Sequence, residues 1–162
     1  NSSGELELSY PQARVHLQRA NYENAKNPSP KERASYLMEN VEPLSRADLH
    51  LYDGDSEIIP GILVHRVDGH TTGQQWVEVR DGKERVFFPT DLVPTSHHLP
   101  VPFHMGYDNC AGTILREKQE FGRRAVDEGA LVVFQHDPAV ATARVKVNEK
   151  GQFAAVPAAP VS

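Results

Sequence analysis

Apolar and polar positions change period several times along the chain, and each change predicts a different element. Ala13 to Gln18 alternates and predicts a short strand, followed by a helix from Arg19 to Asn27 that Asn27-Pro28 halts. Ser29-Pro30-Lys31-Glu32 has the capping-box spacing, with Pro30 where a missing N–H costs nothing, so a second helix is predicted from there to about Met38. Between Leu49 and Phe88 the period shortens to two, giving strands at Leu49–Tyr52, Ile62–Val67, Gln74–Arg80 and Glu84–Phe88. Asp81-Gly82 joins the last two in a hairpin, and Trp76, Val77 and Val79 are sheet core.

After Pro89 the pattern breaks down until Gly112, in a Pro-rich stretch of a length that compact domains reserve for function. Thr113 to Glu128 restores an amphipathic helix, with Ile114, Leu115, Phe121, Ala125 and Val126 on one side, closed by Gly129. Leu131 to Phe134 is continuously apolar, as in a strand buried on both faces. Ala143–Asn148 and Gln152–Val156 form a final hairpin around Lys150-Gly151, with an Ala/Pro-rich tail from Ala154 expected to fray.

Composition narrows the class. The chain has 162 residues, enough for one domain, with 39% hydrophobic and 24% charged positions, as in water-soluble globular proteins. No apolar run spans a bilayer. The net charge of −5 argues against nucleic acid as a partner. Cys110 stands alone, so no intrachain disulfide forms, which fits a reducing, cytoplasmic setting. It lacks an activating motif and reads as structural. The opening Asn1-Ser2-Ser3-Gly4 has no initiator Met and no signal pattern, and predicts a start inside a longer polypeptide.

Eight histidines raise the weight of metal or acid–base chemistry. Three segments set a metal-capable side chain directly after a predicted strand: Gly69-His70-Thr71-Thr72-Gly73, Pro89-Thr90-Asp91-Leu92 and Phe134-Gln135-His136-Asp137-Pro138. Imidazole nitrogen and carboxylate oxygen suit Zn²⁺ and similar divalent ions. Taken singly, a histidine after a strand is more often a hydrogen-bonded structural residue, and an aspartate there a turn former.

Their order, with the linking text Arg33-Ala34-Ser35-Tyr36-Leu37, Asp91-Leu92-Val93-Pro94-Thr95-Ser96-His97-His98-Leu99-Pro100 and Met105-Gly106-Tyr107-Asp108, resembles the metallo-β-lactamase superfamily in its lactonase-like branch, from about Ala13 to Arg144. The resemblance implies an α/β fold of the αββα sandwich type, here its C-terminal half over residues 1–162, with a mixed sheet and flanking helices. It implies His70, Asp91 and His136 as metal ligands in a site for two divalent ions, most readily zinc, with Asp91 bridging them. The implied reaction is hydrolysis of a small-molecule lactone or ester by attack of a metal-bridging hydroxide on the carbonyl, with Tyr107 donating to the oxyanion.

Two departures stand out. Thr90 replaces the usual glycine, which requires ordinary backbone angles there. The family's His-x-His-x-Asp-His cluster does not occur and belongs before Asn1, so the chain as it stands is expected to show little hydrolysis.

The remaining histidines are weighed with their neighbours. His98 is a candidate substrate contact, since only one of His97 and His98 can face inward from an extended segment. His104 could face either way, and His16, His50 and His65 are read as outward-facing. Asp68 and Asp137 are candidate partners for the second imidazole nitrogens of the ligand histidines. Homo-oligomerisation stays open, as do two other functions: a same-fold hydrolase of a β-lactam, thioester or phosphodiester, and a metal-free binding module.

Overall fold

The computed structural model describes residues 6–159, which fall into two compact units that divide after Gly54. The expectation about Asn1–Gly4 lies outside the described residues. No helix among them is long and apolar enough to cross a membrane.

The first unit is a parallel pair of strands, β1 (Arg14–Gln18) and β2 (Asp48–Tyr52), joined through α1 (Arg19–Lys26), α2 (Met38–Val41) and a 3₁₀ turn. The second helix predicted from Ser29 is not continuous. The Ser29 carbonyl accepts from the Glu32 and Arg33 amides, but residues 30–36 stay in turns and helix begins only at Met38. The Ser29 hydroxyl is spent on the Glu32 carboxylate at 2.8 Å, where a capping box would have each side chain satisfy a backbone N–H. His16 and His50 are cross-strand neighbours, and His16 Nδ1 lies 2.9 Å from the Tyr52 hydroxyl.

The second unit is a seven-stranded mixed sheet in sequential order: β3 (Ser56–Ile59), β4 (Ile62–Val67), β5 (Gln74–Asp81), β6 (Glu84–Phe88), β7 (Leu131–Val133), β8 (Thr142–Val147) and β9 (Phe153–Pro157). Every neighbouring pair is antiparallel except β6–β7, whose parallel crossover is made by α3 (Ala111–Asp127). β3 escapes sequence reading because it is only four residues long. The tail expected to fray from Ala154 instead pairs with β8 through Pro157, and the Ala158 amide bonds the Thr142 carbonyl.

Ile114, Phe121 and Ala125 of α3 pack on Trp76, Phe87, Val132, Ala143 and Val145, so one amphipathic helix and one sheet face make a single core. Gly122 allows this approach, because a Cβ there would sit 2.4 Å from the Phe153 ring. His65 is not outward-facing. It is 8% exposed, stacked on Trp76 with centroids 4.0 Å apart, and held between Asp55 at 2.9 Å and Glu78 at 2.8 Å. An alternating pattern cannot reveal a face that is buried by ion pairs.

Candidate functional site

Sheet direction explains why three distant segments meet. β4 ends, β5 begins and β6 ends at one edge, and β7, parallel to β6, ends there too. The β4–β5 turn therefore brings His70, the exit of β6 brings Asp91, and the exit of β7 brings His136 to the same edge.

Asp91 is the centre of the group. Its Oδ1 lies 3.0 Å from His136 Nε2 and its Oδ2 lies 3.6 Å from His70 Nε2. The three predicted side chains thus come together, as two pairs on opposite oxygens of one carboxylate. Among the described residues no three His, Cys, Asp or Glu side chains form a ready cage for one ion. His70 and Asp91 are 15% and 32% exposed at their side chains, whereas His136 is 53% exposed.

The turn that carries His70 is tightly held. Glu117 of α3 accepts from the Asp68 and Gly69 amides at 2.6 and 3.0 Å, and the Gly69 and His70 carbonyls accept from the Cys110 and Asn109 amides. Burial pushes the Glu117 carboxyl up. Gly69 is required by closeness, since a Cβ there would fall 2.4 Å from the Ile114 amide nitrogen. We expect Gly69→Ala to lower stability by about 1–3 kcal/mol, as overpacking does, and to displace His70 from Asp91. Urea unfolding, with the His70 ring shifts followed by NMR, checks both effects.

Asp108 is the residue that sequence reasoning missed. Its carboxylate is completely buried, lies 2.7 Å from His70 Nδ1 and 3.2 Å from His104 Nδ1, and accepts from the Met105 amide at 2.8 Å. The suggested partners, Asp68 and Asp137, do other work. Asp68 binds Arg66 and the Gly73 amide. Asp137 accepts from the Ser96 hydroxyl and from the Ser96, Ala139 and Val140 amides, which hold its carboxyl far below the usual range. Asp108 was visible only as part of Met105-Gly106-Tyr107-Asp108, where spacing gives no hint of its target.

This contact tests whether the residues fit a metal. A carboxylate can only accept, so a neutral His70 places its proton on Nδ1 and turns the Nε2 lone pair toward Asp91 Oδ2. Two acceptors facing each other at 3.6 Å call for a cation or a proton between them. The donor set of two imidazoles and one carboxylate suits a divalent ion of the zinc type. Replacing Asp108 with Asn should weaken zinc binding by roughly 10- to 100-fold, the usual cost of losing such an orienting group. Competition against a chromogenic chelator measures the change.

Thr90 does not keep ordinary angles. Its φ of 51° makes it the only non-glycine residue with positive φ among those described, and its hydroxyl donates to the Gln75 carbonyl at 3.0 Å. Tyr107 is 59% exposed, with its ring edge-on to His70 at 5.9 Å. Of the His97–His98 pair, His98 is the half-buried one, bonded to Thr95 through Nδ1 at 2.8 Å. Burial, then the charge of Lys118, pushes its imidazole down. Cys110 is exposed at the start of α3, where the Thr113 hydroxyl lowers its thiol.

No family model matches the sequence, and no curated protein matches it. Solved structures do. A probable metal-dependent hydrolase from Staphylococcus aureus superposes with a TM-score of 0.82 at 19% identity, over 96% of this chain and 56% of that one. AidC, a dizinc quorum-quenching lactonase, gives 0.74 at 19% identity over 96% and 58%. AbOPH, a hydrolase in the β-lactamase superfamily, gives 0.74 at 17% identity over 94% and 57%. The chain thus spans rather more than half the length of each. Identities this low speak for fold and not for activity. The sheet with its α3 crossover and these superpositions establish that the chain has the metallo-β-lactamase fold, over the part of that fold it spans.

Proposed function

We propose that the protein is a metal-dependent hydrolase of lactone or ester bonds. The observation that carries this reading is the placement of His70 and His136 on opposite oxygens of Asp91, with Asp108 fixing the orientation of His70. His70 and Asp91 Oδ2 would hold one divalent ion, and His136 and Asp91 Oδ1 a second. Ions bound there supply an acidified water and a polarised carbonyl.

The chain's own residues do the rest. Asp91 offsets positive charge with a single carboxylate shared between two positions. Asp108 keeps the His70 proton on Nδ1, so that Nε2 stays a donor of electrons. Tyr107 reaches solvent beside His70, where its hydroxyl can donate to an oxygen that gains charge during the reaction. His98, half-buried and held by Thr95, would contact substrate from the neighbouring segment. The lactone or ester class draws support from the superposed AidC, whose bound product is N-hexanoyl homoserine.

Zinc uptake by the chain is the first test. Binding that disappears in Asp91→Ala supports the reading, and a chain that takes up no zinc defeats it. Hydrolysis is then assayed, in a polypeptide that also carries the His-x-His-x-Asp-His cluster, on N-acyl homoserine lactones, aryl esters, a thioester and a phosphodiester. Cleavage confined to the last two would replace the substrate class.

A further inference from the structure

The buried stripe of α3 runs Ile114, Lys118, Phe121 and Ala125, and one of these is a charge. Lys118 is 1% exposed, in a position where a Leu or Met would pack without penalty. An ammonium is taken out of water only where its donors are answered. Here all three are. Lys118 Nζ donates to the carbonyls of Pro100 at 3.0 Å, Val101 at 3.2 Å and Phe103 at 2.5 Å.

Those three carbonyls lie in a segment with little backbone pairing of its own. Pro100 and Pro102 have no N–H to give, and the stretch from Leu99 to Cys110 belongs to no strand or helix. Its few internal bonds include Phe103 N to Pro100 O at 3.0 Å and Asp108 N to Met105 O at 3.1 Å. Further along the same segment stand His104, Tyr107 and Asp108, the last of which reaches His70. A carbonyl left without its donor in such a place costs about 1–3 kcal/mol, so the lysine sets the resting conformation of the segment.

We infer that Lys118 is a positioning residue: from the core face of α3 it staples Pro100–Phe103 and so fixes the loop that presents Tyr107 and Asp108 to His70. Its bearing on catalysis rests on the hydrolase reading. Its effect on the loop does not.

The charged and titratable groups facing it are Asp108 in the loop and His98 beside it. Burial pushes the ammonium down to about 8, against the opposing pull of Asp108. A neutral amine has two N–H groups for three carbonyls. Above that pH the staple loses one of its bonds.

Hydrogen exchange on the 162-residue chain tests this. In Lys118→Met the Phe103 and Asp108 amides should exchange roughly tenfold faster or more, the equivalent of one bond to a charged donor, while amides in β4, β5 and β7 keep their rates. In the wild-type chain, loop exchange corrected for ordinary base catalysis should climb above pH 8, a rise that Lys118→Met lacks. Unchanged loop rates would overturn the inference, and so would equal acceleration across the sheet, which marks a plain core residue. If Lys118→Met does not fold, the wild-type pH series decides, and a loop no more pH-sensitive than the sheet overturns it. Zinc uptake measured in parallel separates the two readings, because a chain that binds no zinc yet shows the loop response defeats the hydrolase reading alone.

Discussion

Asp91→Ala should abolish zinc binding at micromolar concentrations, with affinity falling by more than the roughly 100-fold that even an orienting residue can cost. The carboxylate meets both imidazoles, so its removal strips both candidate positions of their shared negative charge at once. His70 and His136 would then face each other with nothing to offset a divalent ion. Tyr107→Phe makes the informative contrast. It removes one hydroxyl from a ring that is 59% exposed, leaves every ligand in place, and should leave zinc content unchanged. If that hydroxyl meets developing charge, turnover falls on the order of 10²–10³. Metal analysis on both variants, and initial rates in a polypeptide that also carries the His-x-His-x-Asp-His cluster, check the pair, and an Asp91→Ala protein with normal zinc content rejects the assignment.

Glu78→Gln is the substitution expected to cost most in stability, about 3 kcal/mol or more, as when one member of a buried ion pair is removed. Glu78 is fully buried on β5 and accepts from Arg80 at 2.5 Å, Arg124 at 2.8 Å and His65 at 2.8 Å. Burial alone would raise its carboxyl, but these hydrogen bonds outweigh it and hold the group at about 2, against an ordinary 4.5. A carboxyl depressed in the folded state stabilises fully above its unfolded value, and that contribution fades as pH falls from 4.5 toward 2. A depression of this size corresponds to roughly 3 kcal/mol. Urea unfolding at pH 7 and pH 3 should therefore show a large acid loss in the wild type and a distinctly smaller one in Glu78→Gln. Equal acid sensitivity in the two proteins would show that the stabilising titration lies elsewhere.

Period and punctuation made most elements legible, because α3 and most of β4 to β8 follow a regular pattern and β7 is an unbroken apolar run. The meeting of His70, Asp91 and His136 was legible for a related reason: each follows a strand, and strand exits gather at one end of a sheet. Contacts made by side chains across the fold were not. Asp108 finds His70 across 38 positions, and the buried cluster at Glu78 draws on β4, β5 and α3. No local rule reaches that far. Short elements failed for another reason, since four residues of β3 or one turn after Ser29 carry too little pattern to separate from loop.

Thr90 gives the site a different kind of history from a glycine-built one. A glycine before Asp91 would let the backbone choose a left-handed bend freely, whereas a β-branched residue resists it by roughly 1–2 kcal/mol. Here the bend exists at a φ of 51° in spite of the residue, with the Thr90 hydroxyl shared between the Pro89 carbonyl at 2.7 Å and the Gln75 carbonyl at 3.0 Å. One of these acceptors belongs to β5, so the direction of Asp91 depends in part on a strand other than its own. The bend that aims Asp91 is thereby tied to the pairing of β5 with β6, and a change in either strand would reach the site without touching it.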